Sequence, residues 1–162
     1  MTANNLILPK SVTAAVIAEV TRFGAESLET GGFLLAPRDE DTIAIVALAG
    51  TAGIVRRPRM FQVSEIALDR LFEHADRHDL WIPAQFHSHG RAAFMSPTDV
   101  DHGLSVEGFV TTIVPYFATP SADPSQWGWW RYDDAWTPIA PPRAAAGAVS
   151  VITFDEDGVR GA

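Results

Sequence analysis

The sequence predicts an α+β domain in which a mixed β-sheet is flanked by helices. Apolar residues recur at helical spacing in two segments, and short apolar runs bounded by turn-forming residues lie between and after them. The predicted order is helix, strands, helix, strand, short helix, strands, which favours this arrangement over a doubly wound sheet. A chain of 162 residues has the size of one domain with a sizeable core, so we expect a single domain over residues 1–162.

The first half of the chain is expected to hold two helices and three strands. A helix that begins at Pro9-Lys10-Ser11, with Ser11 as its N-cap, should end near Gly24. Ser64 is the expected cap of a second helix, whose apolar side chains repeat with the helical period. The predicted strands are GGFLLA, TIAIVALAG and MFQVS, and residues 50–60 are expected to form an irregular loop.

The second half is expected to hold one short helix among four strands. WIPAQFHSH is strand-like, and Pro97 suits the first turn of a short helix after it. The closing strands are FVTTIVPYF, WGWWRYDD and AVSVITF, with PSADPSQ and TPIAPPR as connectors. Trp127, Trp129 and Trp130 are expected in the core and on the sheet surface, with a binding patch as the less favoured alternative.

The composition excludes several classes of protein. Hydrophobic residues make up 47% of the chain and charged residues 20%, which is typical of a soluble globular protein. The formal charge of −8 argues against a nucleic-acid partner, because phosphate contacts need a basic face. There are no cysteines, which excludes disulfides, thiol catalysis and cysteine-ligated metals. MTANNLILPK lacks a secretion signal and no apolar run could span a bilayer, so we expect a cytoplasmic protein without a membrane partner.

Two histidines lie one residue apart in QFHSHGRAAFMSPTDVD, residues 85–101. Side chains two apart on a strand point to the same face, with Cα atoms roughly 7 Å apart. The imidazoles of His87 and His89 can therefore converge on one metal ion, while Ser88 faces away. The chain turns at Gly90 and then reaches Ser96-Pro97-Thr98-Asp99.

The segment Ser96-Pro97-Thr98-Asp99 has two compatible interpretations. Serine followed three residues later by aspartate, with proline at the first helical position, is an ordinary helix start. Alternatively, Asp99 supplies an oxygen ligand whose direction the helix start fixes. Two histidines and one carboxylate leave a tetrahedral zinc ion one open position for water, an arrangement typical of catalytic sites.

Glu29 is the upstream candidate for a group that accepts the proton of that water. It lies just before Gly31-Gly32, which permits close approach of the backbone. The alternative is a solvated carboxylate in a connector, and Glu26 is a weaker competitor for the role.

Two other histidine features carry weaker signals. His74 and His78 have zinc-binding spacing on a predicted helix, but Ala75 occupies the position of the catalytic glutamate of zincins. A solvated helix face is therefore the favoured interpretation of that pair. His102 lies three residues beyond Asp99, and a position on the helix surface is favoured over a ligand role.

Together, Glu29-Thr30-Gly31-Gly32, His87-Ser88-His89 and Ser96-x-x-Asp99 resemble the signature of the JAMM metallopeptidase family, also called JAB or MPN-plus. That signature is an upstream glutamate, H-x-H, a short spacer and S-x-x-D. The resemblance covers roughly Pro9 to Phe117 and favours the compact bacterial branch. It implies a JAB/MPN-like fold with a layered arrangement similar to that of cytidine deaminases. Gly90 departs from the proline that many relatives carry there.

The resemblance also implies a function. His87, His89 and Asp99 would bind Zn²⁺. Glu29 would be the general acid and base, and Ser96 would help to stabilise the oxyanion. The bond cleaved would be a peptide or isopeptide bond at the C-terminus of a ubiquitin-like protein or its conjugates.

Partners and alternatives follow from the same resemblance. E1-like and E2-like enzymes are expected to be encoded nearby, in a conjugation or defence system. The residues 50–60 and the strand after them are candidates for the groove that holds the substrate tail. The alternatives are a non-catalytic MPN-type scaffold or ubiquitin-like-protein binding module, and a metal hydrolase acting on a small molecule or a sulfur-carrier protein.

Overall fold

A computed structural model describes residues 5–161 and contains one large sheet, two small sheets and three α-helices within that range. The helices are α1 (Lys10–Gly24), α2 (Glu65–Arg77) and α3 (Pro97–His102). The strands are β1 (Ile7–Pro9), β2 (Gly31–Pro37), β3 (Ile45–Ala49), β4 (Ile54–Arg57), β5 (Met60–Val63), β6 (Leu80–Ser88), β7 (Val110–Val114), β8 (Gly128–Asp133), β9 (Ala135–Pro138), β10 (Arg143–Ala145), β11 (Ser150–Asp155) and β12 (Gly158–Gly161). A short 3₁₀ turn at Pro124–Gln126 precedes β8.

The large sheet is mixed, as the sequence predicts. Its eight strands lie in the order β12-β11-β3-β2-β6-β7-β8-β9. The β3–β11 and β6–β7 pairs are parallel, and the remaining pairs are antiparallel. The fold is therefore α+β, and the predicted class is confirmed.

Two apolar cores lie on opposite faces of the sheet, because successive side chains on a strand point in opposite directions. On β2, Leu34 packs in the core that contains the buried side of α1, while Phe33 and Leu35 pack in the core that contains Leu71 of α2. Full burial of each such side chain contributes about 1.5–3 kcal/mol. β2 and the neighbouring β6 are consequently fixed from both sides.

Several predicted boundaries are confirmed. Ser64 caps α2, and its Oγ accepts a hydrogen bond from the Ala67 N–H at 3.2 Å. Pro97 opens α3. Of the three tryptophans, Trp127 and Trp129 are buried in the core and Trp130 is half-buried on the sheet.

Three sequence predictions are wrong. Pro9, not Ser11, precedes α1, and the Ser11 hydroxyl donates instead to the Gly147 carbonyl at 2.7 Å. Residues 50–60 are not an irregular loop, since β4 lies within them and pairs with β5 as a hairpin. The connector TPIAPPR overlaps the ends of β9 and β10. The two errors that concern strands arise because short strands depend on distant pairing partners, which local composition does not reveal.

The sequence predictions for the N-terminal stretch rest partly on residues 1–4, which lie outside the described residues. Within residues 5–161, no helix has the length and apolarity needed to cross a bilayer. The one-domain prediction over residues 1–162 stays a prediction.

Arg56 on β4 attaches the hairpin to the rest of the chain. Its guanidinium donates to Thr30 Oγ1 at 3.0 Å and to the Gly50 and Ala49 carbonyls at 2.6 and 2.5 Å. The buried carboxylate of Glu19 lies 3.9 Å from the same guanidinium. The hairpin is thus held beside the N-terminal end of β2.

Replacement of Arg56 is expected to destabilise the protein. In Arg56→Met, the buried Glu19 carboxylate keeps only the exposed Arg22 guanidinium, 3.7 Å away, and loses the more buried one. Loss of a partner from a buried polar group typically costs about 1–3 kcal/mol. Chemical denaturation of wild type and variant measures the change in the free energy of unfolding. Arg57→Met removes an exposed guanidinium one residue away and is expected to change that free energy by less than about 0.5 kcal/mol. Equal stability of the two variants would contradict this assignment.

Candidate metal centre

The two histidines lie at the C-terminal end of β6. His87 is within the strand and His89 follows its last residue, and both side chains are buried. Their ring centroids are 5.2 Å apart. Ser88 points the other way, where its Oγ accepts a hydrogen bond from the Thr30 N–H at 2.9 Å. The predicted orientation of the H-x-H segment is therefore confirmed.

Helix α3 carries Asp99 to the same place. Asp99 Oδ1 lies 3.1 Å from His87 Nε2, and Asp99 Oδ2 lies 3.1 Å from His89 Nε2. A reciprocal capping box fixes this direction, because Ser96 Oγ accepts from the Asp99 N–H at 3.1 Å and Asp99 Oδ2 accepts from the Ser96 N–H at 2.9 Å. The cap and the contact with the histidines coexist, so the two interpretations of this segment are compatible.

Glu29 reaches the histidines through the pairing of β2 with β6. Gly31 lies opposite His87 in this antiparallel pair, so Glu29, two residues before β2, falls level with His89. One carboxylate oxygen of Glu29 and one ring nitrogen of each of the two histidines all lie within 4.8 Å of one another. The Glu29 side chain is buried, and its N–H donates to the Arg57 carbonyl at 3.0 Å. The alternative of a solvated carboxylate is therefore wrong, and the hairpin holds this residue in place.

Gly31 has no room for a side chain at this position. A Cβ on Gly31 would lie 2.5 Å from the Phe86 carbonyl oxygen and 2.6 Å from the Phe61 ring of β5. The hairpin can thus pack directly over the strand end that carries the site. Gly90 is also closely packed, because a Cβ there would lie 2.7 Å from the Phe117 ring. A larger residue at position 90 would require the Phe117 ring to move.

The electrostatics of the site favour an ionised Asp99. Burial alone would raise the pKa of its carboxyl, but His87, His89 and the Ser96 N–H together hold that pKa well below its usual range. The pKa of His89 is raised, because Asp99 and Glu29 outweigh the effect of its burial. A negative charge therefore persists between the two imidazoles at neutral pH.

Burial has the opposite effect on Glu29. Removal from water raises the pKa of its carboxyl from 4.5 to about 7, and the nearby negative charge of Asp99 acts in the same direction. The positive charges of His89 and Arg91 offset only part of that rise. Glu29 can consequently gain and lose a proton near neutral pH.

The donor set fits a divalent cation. His87 Nε2 is buried and has no hydrogen-bond partner among the described residues, although it faces Asp99 Oδ1. His89 Nδ1 lies 3.3 Å from the Ala92 carbonyl, which favours a proton on Nδ1 and leaves Nε2 to face Asp99. Release of the protons on the two Nε2 atoms would let both imidazoles and the carboxylate bind one cation between them. Histidine nitrogen and carboxylate oxygen are ligands that zinc prefers.

Two ligand triads share the histidine pair. His87 and His89 combine either with Asp99, as the sequence predicts, or with Glu29, whose carboxylate is also within reach. The roles predicted for Glu29, Ser96 and the three ligands stay predictions. The geometry brings all five side chains to one place.

The other histidines lie apart from this cluster. The imidazoles of His74 and His78 lie near the end of α2 with centroids 4.3 Å apart and ring planes tilted by 41°. His102 is exposed, and its Nδ1 lies 3.2 Å from Gln62 Nε2 on β5.

Sequence reasoning missed two neighbours of the site. Phe94 meets the His89 ring edge to face at a centroid distance of 5.2 Å, and the Arg91 guanidinium lies over the Phe94 ring at 4.8 Å. Both residues are in the turn between β6 and α3. An aromatic and a basic residue so close to H-x-H were the available signal.

Comparisons with known proteins identify the fold. No family model matches the sequence, and no curated protein matches it. The chain is similar to a protein from Desulfitobacterium hafniense solved in solution, with a TM-score of 0.61, 16% identity and coverage of 88% of this chain and 93% of the other. It is also similar to a JAB1/MPN domain protein from Archaeoglobus fulgidus, with a TM-score of 0.52, 11% identity and coverage of 88% and 99%. A structure described as a JAMM metalloprotease-like zinc site in the proteasome and signalosome aligns with a TM-score of 0.51, 10% identity and the same coverage.

The class defined by these similarities is that of JAB/MPN-like α+β folds. Within it, the structural neighbours of this chain include a JAB1/MPN domain protein and a JAMM zinc-site protein, and Glu29, His87 and His89 form a candidate metal-binding group. At identities of 10–16%, the similarity concerns the fold. The function of the site depends on its own residues and not on the fold alone.

The raised pKa of Glu29 has a measurable effect on the stability of the metal-free protein. The unfolded chain releases this proton near pH 4.5 and the folded chain near pH 7, so the carboxyl lowers stability as pH rises between these values. Metal-free Glu29→Gln should therefore match wild type near pH 4 and exceed it by up to about 3 kcal/mol at pH 8. Urea unfolding at both pH values measures the difference.

Glu26→Gln is the matched control, because Glu26 is an exposed carboxylate in the same connector. This variant removes one negative charge from an exposed position, so it eliminates no buried carboxylate. A gain in stability at pH 8 equal to that of Glu29→Gln would contradict the burial argument.

Proposed function

We propose that this protein is a zinc-dependent peptidase or isopeptidase of the JAMM type. The observation that carries the proposal is the convergence of two buried imidazoles, an ionised aspartate and a buried glutamate with a pKa of about 7. The JAB/MPN-like fold supports it, since JAMM metalloprotease-like zinc sites occur on that fold.

Zn²⁺ is assigned to His87, His89 and Asp99. Bound there, zinc supplies Lewis acidity and lowers the pKa of a water molecule to about 7. The Asp99 carboxylate lies between both Nε2 atoms, which suits a ligand, whereas the raised pKa of Glu29 suits a group that exchanges protons. We therefore place Glu29 outside the ligand set.

Glu29 acts as general base and then as general acid. Its carboxylate takes a proton from the attacking water and later gives it to the departing amine nitrogen. In the metal-free protein the pKa of about 7 means that neither protonation state of Glu29 is strongly favoured near neutral pH. Burial between β2 and the hairpin holds the carboxylate in one position.

Ser96 stabilises the negative oxygen of the tetrahedral intermediate. Its Oγ accepts the Asp99 N–H, which leaves the hydroxyl proton available for donation. Loss of one such donor typically costs about 3–4 kcal/mol of transition-state stabilisation. Arg91 is the nearest guanidinium in the turn before Ser96, and it adds positive potential to the site.

The proposed substrate is the C-terminal tail of a ubiquitin-like protein or its conjugate. Such a tail is extended, and it can pair with a strand edge through main-chain hydrogen bonds. The β4–β5 hairpin offers an edge beside the site, since it packs over Gly31 and holds Glu29. E1-like and E2-like partners and a cytoplasmic location belong to the same proposal.

A non-catalytic scaffold or binding module is the alternative, because JAB/MPN folds also serve without hydrolysis. The buried His87 Nε2, which faces an ionised carboxylate and has no hydrogen-bond partner among the described residues, favours a metal site over it. Zinc content and cleavage of a modifier fusion distinguish the two functions.

Metal content tests the ligand assignment. Purified wild type loaded with Zn²⁺ should hold one ion per chain. His87→Ala and Asp99→Asn should each lower the affinity for Zn²⁺ by more than about tenfold to a hundredfold, the loss that is typical when a group supporting a ligand is removed. Glu29→Gln should retain the ion. His74→Ala removes a histidine outside the cluster and serves as the control. Retention of zinc by Asp99→Asn together with its loss from Glu29→Gln would assign the Glu29 triad instead.

Turnover tests the proton-transfer role. Zinc-loaded Glu29→Gln should cleave a ubiquitin-like fusion at least 100-fold more slowly than wild type, because the amide side chain cannot accept the proton. Glu26→Gln should cleave at the wild-type rate. Rates are measured by gel or mass spectrometry at matched zinc content. Full activity of Glu29→Gln would remove this residue from the mechanism.

A further inference from the structure

A small cavity opens beside the candidate metal centre on the sheet face that carries the histidines. Its volume is about 80 Å³, and His87 and Asp99 are part of its lining. Phe33 and Gln85 line it from β2 and β6. Neither Glu29 nor His89 contributes to the lining, so the cavity adjoins only one side of the metal centre.

Residues from β5, α2 and the α3 region form two opposite walls. Phe61 of β5 and Leu68 of α2 line one side, and Thr98 and Leu104, at and just beyond α3, line the other. The side chains of Gln62 and His102 connect these walls through a contact of 3.2 Å between Nε2 and Nδ1. Polar and apolar groups therefore contribute almost equally to the lining, and the apolar part includes Phe33, Phe61, Leu68 and Leu104.

The size of the cavity restricts what can enter. A cavity of about 150 Å³ accommodates a benzene ring, and this one has about half that volume. It suits an aliphatic side chain of one to three carbons, such as that of alanine or valine. An aromatic side chain requires separation of Gln62 from His102.

The strand register sets the direction of the substrate. Along β6, Gln85, His87 and His89 follow one another on the same face. Glu29 is level with His89, and Phe33 is opposite Gln85. Glu29 and the cavity therefore lie on opposite sides of the metal centre, along the strand direction.

We propose that this cavity is a specificity pocket for the side chain of the substrate residue that supplies the attacked carbonyl. The inference rests on the proposed function. In the hydrolysis, water oxygen bonds to the carbonyl carbon, the C–N bond breaks, and the amine takes its proton from Glu29. The amine must therefore leave toward Glu29, and the acyl residue must extend the other way, over the cavity.

The volume of the cavity restricts which residue can stand at the end of the substrate tail. A tail that ends in a small aliphatic residue fills the cavity, whereas a terminal glycine leaves it empty and an aromatic residue exceeds it. One methylene in an apolar pocket changes specificity by roughly 10–200-fold. Valine or alanine at this position should therefore be preferred to glycine by at least tenfold in kcat/KM.

Quenched-fluorescence peptides that differ only at the acyl residue test the preference. Zinc-loaded wild type is assayed with Gly, Ala, Val, Leu and Phe at that position. Leu68→Ala enlarges the cavity and should shift the optimum from Val toward Leu, whereas Leu68→Phe fills it and should shift the optimum toward Gly. Ile66→Ala alters an exposed side chain of the same helix, and its profile should match wild type. A flat profile with Glu29-dependent cleavage would overturn the pocket while leaving the proposed function intact.

Binding gives a second readout that needs no turnover. Free peptides that end in Gly, Ala or Val are titrated into wild type and followed by amide chemical shifts. The Val peptide should bind at least threefold more tightly than the Gly peptide and shift the amides of Leu68 and Leu104. Equal affinities, or shifts confined to distant residues, would overturn the pocket. Absence of cleavage for every peptide and fusion, with the Val preference in binding retained, would count against the proposed function alone.

Discussion

The pairing of β2 with β6 is the constraint on which the whole site depends. It places Gly31 opposite His87 and Glu29 level with His89, so residues almost sixty positions apart in the chain meet within a few ångströms. A slip of one residue would turn the histidines to the other face of the sheet. The two apolar cores oppose that slip, because Phe33 and Leu34 are buried in different cores on opposite faces of the sheet.

The sequence carried enough information to predict the fold class and the convergence at the site. H-x-H on an apolar strand and S-x-x-D at a helix start each determine a local direction, and these local directions persist in the folded chain. The position of Glu29 was predicted from the glycines after it, and Gly31 does provide the close approach that its lack of a side chain permits. Side-chain directions that depend only on neighbouring residues were therefore predicted correctly.

The features that escaped prediction depend on distant contacts. β4 is stabilised by pairing with β5 and by the hydrogen bonds of Arg56 to Thr30, Gly50 and Ala49. Nothing in the residues 50–60 alone distinguishes such a strand from a loop. The cavity is likewise assembled from five separate elements and the segment after α3, and no single stretch of sequence indicates its volume.

Helix α3 supplies a carboxylate of the candidate metal centre and part of a wall of the neighbouring cavity. Its six residues are all half-buried or exposed, and a helix this short is unstable by itself. The Asp99 carboxylate, with its contacts to both imidazoles, attaches the helix to the sheet. With the proposed ion bound between these groups, ion binding and ordering of the helix would be thermodynamically linked, so the affinity for the ion would include the free energy of ordering the helix. Loss of that ion would then also loosen one wall of the neighbouring cavity.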